Sequence, residues 1–260
     1  MNLLTQIIAR TKSAADVMAD VVHQRLFNAS FAGDGLVSYG KSVSFLEKDG
    51  FADIVRRQSR GKHQNEGRAW RLHTLAWAAR RALSLKGDFV ECGVFEGFFS
   101  AVVCEFLSFE KVDRTFWLYD TFEGFSTKYT TAKDFGHGQL FLDVAQQDYR
   151  RPRLFEAVKD RFASYPNVKV IQGILPDALD GGCPEQIAYL HVDLNSPRAE
   201  FLTMERLYPK VTAGGVIVFD DYGWKNFRKQ EEAISAFFQK TGEMILELPT
   251  GQAMVIKQGA

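Results

Sequence analysis

A chain of 260 residues, 46% of them hydrophobic, is long enough for one compact domain with a modest addition. Lysine plus arginine and aspartate plus glutamate each number 32, and a formal charge of zero excludes the broad basic surface that binds nucleic acid or anionic lipid. Three cysteines, Cys92, Cys104 and Cys183, make neither a paired set nor a CxxC spacing, and Cys92 and Cys104 lie in apolar stretches, so buried free thiols in a reducing, cytoplasmic setting are expected at those two.

In chain order, residues 1–26 read as an amphipathic helix with charges spread through it, not a leader peptide. No window approaches the ~18 to 20 apolar residues of a membrane span. Residues 1–84 are mostly helical in pattern, broken near Phe31–Lys41, where Gly33, Gly35 and Gly40 cluster. Within that break, Gly35–Ser42 satisfies the phosphate-loop pattern G-x-x-x-x-G-K-[ST]. Its context argues otherwise: no clean buried strand precedes it, and Leu36, Val37 and Tyr39 are bulky for a loop that wraps phosphates. A P-loop phosphotransferase using Gly35–Ser42 is therefore the alternative reading. His73, inside Trp70–Trp77, is accounted for by helical packing.

From Gly87 onward, short apolar runs alternate with helical periods, the pattern of a βαβ sheet. The runs Phe89–Cys92, Thr115–Tyr119, Val168–Gln172, Ile187–Val192, Gly215–Phe219, Met244–Leu248 and Ala253–Lys257 predict seven strands. Helices are expected over Phe98–Phe109, Arg153–Ser164, Ala199–Tyr208 and Phe227–Lys240, with a short turn at Pro176–Leu179. Ser196 or Asn195 suits the N-cap of the third of these. Pro249-Thr250-Gly251-Gln252 is turn chemistry and makes the last two strands antiparallel. The expected fold is α/β: a Rossmann-like sheet of five parallel units closed by a C-terminal antiparallel hairpin over residues 85–260, with an N-terminal helical cap over 1–84. The stretch Ser126–Tyr149 exceeds normal connection lengths, which marks a lid or a disordered loop. Its Phe135, Phe141 and Tyr149 suit covering a substrate or packing the loop down, and its His137 suits a solvated loop position.

Two sets of strand ends carry the chemistry. The run ending Glu91-Cys92 enters Gly93-Val-Phe-Glu-Gly97 and then a helix, an arrangement that lets backbone N–H groups approach a ligand. Gly93 provides the tight turn, Gly97 the close helix packing, and Glu91 a partner for a cationic amine. Phe95 stands where the dinucleotide fingerprint needs glycine, so a ligand without pyrophosphate is indicated. Asp120 ends the next strand, followed by Thr121, and is placed to accept two ribose hydroxyls. The same aspartate also suits a turn, with Gly124 close by. Gln172-Gly173, ending the third strand, would face an adenine. Asp193 and Asp220-Asp221 end two consecutive strands, so three carboxylates are expected side by side. Hard oxygen ligands of this kind suit Mg²⁺ or a similar divalent ion, though single aspartates in such places also serve as caps. Such an ion would lower the pKa of a bound hydroxyl and fix it for attack, best for a vicinal diol or catechol. His191 points to the same side of its strand as Asp193 and suits either a base or a satisfied core histidine.

Gly87-Asp-Phe-Val-Glu-Cys-Gly-Val94, Leu118-Tyr-Asp-Thr-Phe-Glu-Gly124 and Gly214-Gly-Val-Ile-Val-Phe-Asp-Asp-Tyr-Gly223 resemble the macrocin O-methyltransferase (TylF-type) family of class I S-adenosylmethionine-dependent methyltransferases. The resemblance covers roughly residues 85–258. It implies S-adenosylmethionine and a magnesium ion, and methylation of a hydroxyl on a sugar or natural-product ring. It implies Glu91, Gly93 and Asp120 at the cofactor, and Asp193, Asp220 and Asp221 at the metal. It also implies a homo-oligomer assembled through N-terminal helices. Asn195 stands where the family commonly has aspartate, and Ser196 where catechol-methylating relatives have a lysine base. Asp193 or His191 is then the candidate base, or activation by the metal alone serves. A non-catalytic, cofactor-binding scaffold of the same fold is a further alternative.

Overall fold

The computed structural model describes residue 15 and residues 18–259, and the start of the amphipathic helix expected over residues 1–26 lies outside them. Residues 18–26 are helical. The break at Phe31–Lys41 is a two-stranded antiparallel hairpin, β1 (Phe31–Gly33) and β2 (Leu36–Ser38). Asp34 and Gly35 form its turn, both with positive φ, as a two-residue turn that matches strand twist requires. The helical reading of this region missed the hairpin because each strand is too short to show an alternating pattern.

Helices α1 (Phe51–Ser59) and α2 (Ala69–Ala82) follow, with a single helical turn at His63–Glu66 between them. On α2, Arg71, Leu75, Ala78 and Ala82 form one buried stripe, flanked by buried Leu72, Ala76 and Ala79. That stripe packs on the strands Ile187–Val192 and Val211–Phe219 and on the helix Phe98–Leu107, so α2 shares the core of the sheet.

The sheet contains β3 (Asp88–Cys92), β4 (Phe116–Asp120), β5 (Val168–Gln172), β6 (Ile187–Val192), β7 (Val211–Phe219), β8 (Leu246–Glu247) and β9 (Ala253–Ile256). Their spatial order is β5-β4-β3-β6-β7-β9-β8, parallel except for β9, which runs antiparallel to both neighbours. The chain order reverses between β3 and β6, which opens a crevice at the carboxyl ends of these strands. The connecting helices are α3 (Phe98–Leu107), α4 (Gly138–Tyr149), α5 (Leu154–Arg161), α6 (Pro197–Leu207) and α7 (Arg228–Thr241). Ser196 caps α6 by accepting from the Ala199 N–H, with Pro197 in the first helical position.

Strand alternation sorts the core into two layers. Phe89, Phe116, Leu118, Tyr189, Val216 and Val218 face α1, α2 and α3, while Val90, Cys92, Leu190, Val192, Ile217 and Phe219 face the layer of α6 and α7. Cys92 and Cys104 are buried free thiols, as expected. Half of the long Ser126–Tyr149 stretch is helix α4, so the segment is an ordered cover. Among the described residues no helix is long and apolar enough to cross a membrane.

Candidate active site

The register of the parallel strands places the chemistry in a row. Cys92 is level with Tyr119 on one side and Val192 on the other, and Val192 is level with Phe219. The next residue of each strand, Gly93, Asp120, Asp193 and Asp220, therefore emerges on one line at the sheet's carboxyl edge. Backbone bonds extend the ladder to this line: Gly93 N–H to Tyr119 O at 2.8 Å, Asp193 N–H to Cys92 O at 2.7 Å, and Asp220 N–H to Val192 O at 3.0 Å.

Above this edge lies a partly open cleft. Gly93, Asp120, Thr121, Gly173 and Asp193 line it, along with Phe95, Phe125, Tyr129, Tyr149 and Asn195. Gly93 has φ +91°, and a Cβ there would lie 1.9 Å from the Asp193 carbonyl oxygen, so only glycine lets β3 leave the sheet here. Asp120 Oδ2 accepts from the Val94 and Phe95 N–H groups at 2.7 and 2.8 Å, and Oδ1 from the Phe122 N–H at 2.6 Å. The turn role and the ligand role thus fall on the same carboxylate, which shapes the glycine loop and still faces the cleft. Thr121 Oγ1 donates to the Gly124 carbonyl.

Three expected cofactor residues stand outside the cleft lining. Gly97 caps α3 and packs against the Phe162 ring. Gln172 is exposed and donates to the Thr121 carbonyl at 3.2 Å. Glu91 is 2% exposed and turns into the protein, 3.3 Å from His191 Nδ1. His191 is fully buried, with Nε2 3.8 Å from Asp220 Oδ1. Between two carboxylates its pKa rises to about 10 despite burial. It is a protonated core counter-ion, so its geometry does not make it a base toward the cleft.

Carboxylate oxygens of Asp193, Asp220 and Asp221 all lie within 4.8 Å of one another. Burial and the two neighbouring acids push Asp193 well above the usual carboxylate range, and burial raises Asp221 to about 6. Asp220 is held below that range by Arg71 and His191. Three convergent carboxylates, Asp220 buried and Asp193 and Asp221 half-buried, with too little positive charge around them fit a hard divalent cation.

Sequence reasoning missed Arg71, Asp34 and Gln252. Arg71 Nη1 donates to Asp220 Oδ2 at 2.5 Å and Asp221 Oδ1 at 3.1 Å, and its Nε lies 2.6 Å from Asp34 Oδ2. Gln252 Nε2 donates to Asp220 Oδ1 at 2.9 Å. The signal available was an arginine in the apolar stripe of α2, because a buried guanidinium must have anions to meet.

The cover is aromatic. Phe125 packs on Phe135 and Tyr149, Phe135 on Phe141 and Phe227, and Tyr149 on Phe95. The Gly136 and His137 N–H groups bond Asn226, tying the cover to the loop after β7. His137 itself is exposed, and His73 stacks on Phe45 at 4.3 Å, as packing predicts. In the phosphate-loop match, β2 lies inside the motif and Lys41 is exposed, with no helix opening at Ser42. The strand, loop and helix that a P-loop needs are not formed by these residues.

The model of the macrocin O-methyltransferase (TylF) family matches residues 64–244, more than half of the chain. The chain belongs to this family. A demethyldecarbamoylnovobiocin O-methyltransferase of Streptomyces niveus is 28% identical over 181 residues, covering 61% of this chain and 66% of that protein. A mycinamicin III 3''-O-methyltransferase of Micromonospora griseorubida is 27% identical over 161 residues, covering 58% and 62%. The matches thus span just under two thirds of these relatives' length. The solved O-methyltransferase NovP superposes with a TM-score of 0.66 at 19% identity, covering 83% of this chain and all of that one. CalS11, a calicheamicin methyltransferase, gives 0.54 at 16%, covering 83% of this chain and 93% of its own. Both establish the class I methyltransferase fold for this family member.

Proposed function

We propose that this family member is an S-adenosylmethionine-dependent O-methyltransferase acting on a hydroxyl of a small molecule, a sugar or natural-product ring, with a divalent cation at Asp193, Asp220 and Asp221. One observation carries the reading: Asp193 belongs at once to the cofactor cleft and to the acidic trio. Any hydroxyl held at the trio therefore sits beside the methyl donor. The family match and the relatives' names support hydroxyl methylation.

In the cleft, Gly93 admits the cofactor close to the backbone and Asp120 accepts from its ribose. A divalent cation at the trio would supply Lewis acidity, lowering the hydroxyl's pKa and orienting a neighbouring oxygen. Methyl transfer is a single displacement: the oxygen–carbon bond forms as the carbon–sulfur bond breaks, and the electron pair leaves with sulfur. Asp193, in its ionised form, is the acceptor for the hydroxyl proton, since its carboxylate lines the cleft. Asn195, whose Nδ2 donates to Asp193 Oδ1 at 2.9 Å, orients that carboxylate and has no basic atom of its own. Phe125, Phe135 and Tyr149 exclude water from the sulfonium.

The test is calorimetric titration with S-adenosylhomocysteine and ATP, with and without Mg²⁺, followed by mass spectrometry of a diol and catechol panel. Micromolar binding of the adenosyl ligand and a 14-dalton gain on a hydroxyl are expected; adenosyl binding without turnover on any hydroxyl would leave a scaffold. In Asp221→Asn, adenosyl binding should persist while Mg²⁺-dependent turnover falls by roughly 10–100-fold. Unchanged turnover in that variant after metal stripping would overturn the cation's role. Assembly through residues 1–84 is part of the same reading, and light scattering of the full chain tests it.

A further inference from the structure

Arg71 occupies an unusual place for a side chain of its charge. Its side chain is 9% exposed, it projects from the apolar stripe of α2, and its guanidinium reaches oxygens of Asp220 and Asp221. Its other edge meets Asp34 in the hairpin turn, and its face lies 5.1 Å from the Trp224 ring. Asp220 thereby has one donor on each oxygen, Arg71 on Oδ2 and Gln252 on Oδ1, with lone pairs left on both. Asp193 receives no bond from Arg71; its Oδ1 accepts from Asn195 while the residue faces the cleft.

We infer that Arg71 is the resident counter-ion of the acidic trio, a positioning residue that sets the trio's affinity and charge preference for a bound cation. The argument is one of charge and geometry. Five carboxylates (the trio, Asp34 and Glu91) face three cations (Arg71, Arg68 and the His191 imidazolium), which leaves roughly the charge a divalent ion cancels. Two of the three carboxylates that would ligate the ion are the ones Arg71 holds, so the two cations repel and compete for the same side chains. Arg71 also keeps the carboxylates from splaying apart. Because its far edge is fixed by Asp34, the β1–β2 hairpin is mechanically tied to the site. The inference rests on the cation role proposed above.

The experiment titrates metal-stripped protein with Mn²⁺ and with Tb³⁺, by calorimetry and terbium luminescence, for wild type, Arg71→Lys and Arg71→Gln. A double variant, Arg71→Gln with Asp34→Asn, avoids an orphaned Asp34 if the single variant folds poorly, and circular dichroism verifies each fold. Removing the guanidinium should shift preference toward the trivalent ion by about tenfold or more, with the same direction in the double variant. Arg71→Lys should keep the wild-type preference. Binding seen only in the Arg71→Gln forms would support the inference while overturning the cation role in the native enzyme. An unchanged preference, a lysine variant that behaves like glutamine, or equal weakening for both ions would overturn the inference and leave the trio as a cation site. No binding of either ion by any form would overturn both.

Discussion

Asp120 concentrates several demands on one side chain. It accepts three backbone N–H groups of two loops and still lines the cleft. Asp120→Ala should therefore cost both function and stability: S-adenosylhomocysteine affinity should fall at least tenfold, and the unfolding midpoint should drop by an amount reflecting about 1–3 kcal/mol of unmet donors. A calorimetric titration beside a thermal melt checks both. Asp221 makes a pH prediction. Its pKa is raised to about 6, chiefly by burial and then by Asp220, with Arg71 and Arg68 opposing. The folded value exceeds the unfolded value of ~3.9, so ionising this group opposes folding. In metal-free protein this contribution lowers stability as pH rises from the unfolded value through about 6. A divalent cation needs the ionised form, so Mn²⁺ affinity should fall as pH drops below about 6. Mn²⁺ titrations at pH 5, 6 and 7.5 test this, and a flat profile would contradict it.

At the scale of elements, the turn from β3 into α3 is the least tolerant junction. Two strand ends meet at Gly93, where any Cβ would overlap the Asp193 carbonyl. Gly93→Ala should be among the most damaging single substitutions, destabilising by ~3 kcal/mol or more, measured by urea unfolding. The cover from Ser126 to Tyr149 behaves oppositely. It is held by aromatic contacts among Phe125, Phe135, Phe141 and Phe227 and by the Asn226 bonds, all reaching across loops. Length marked the segment as a lid or a disordered loop, and its helix α4 was not foreseen. The signal was weak because only Ala145 is buried along it, leaving little apolar periodicity. The β1–β2 hairpin escaped for the same reason, although Asp34-Gly35 between short apolar runs is a hairpin turn signal.

For the whole molecule, the question is where the catalytic unit begins. The sequence texture divides the chain near residue 84, but α1 and α2 contribute Phe51, Ile54, Leu72 and Leu75 to the core that covers one face of the sheet. The family match likewise starts at residue 64. A fragment of residues 85–260 should therefore expose that face and show no cooperative thermal transition, whereas the full chain should; a cooperative melt of the fragment would restore the boundary at 84. The sequence by itself determined the α/β class, the seven strands of the main sheet and the terminal hairpin, because period-2 and period-3.6 patterns and turn residues are local properties. It also determined which aspartates and glycines end the strands, and hence the cleft and the trio, since a parallel register aligns strand ends. Only the tertiary structure decided that Glu91 turns inward to His191, and that Arg71 and Asp34 meet the trio. Glu91 and His191 meet through the pairing of β3 with β6, and Arg71 meets aspartates up to 150 positions away through the packing of α2 on the sheet, contacts with no local signature.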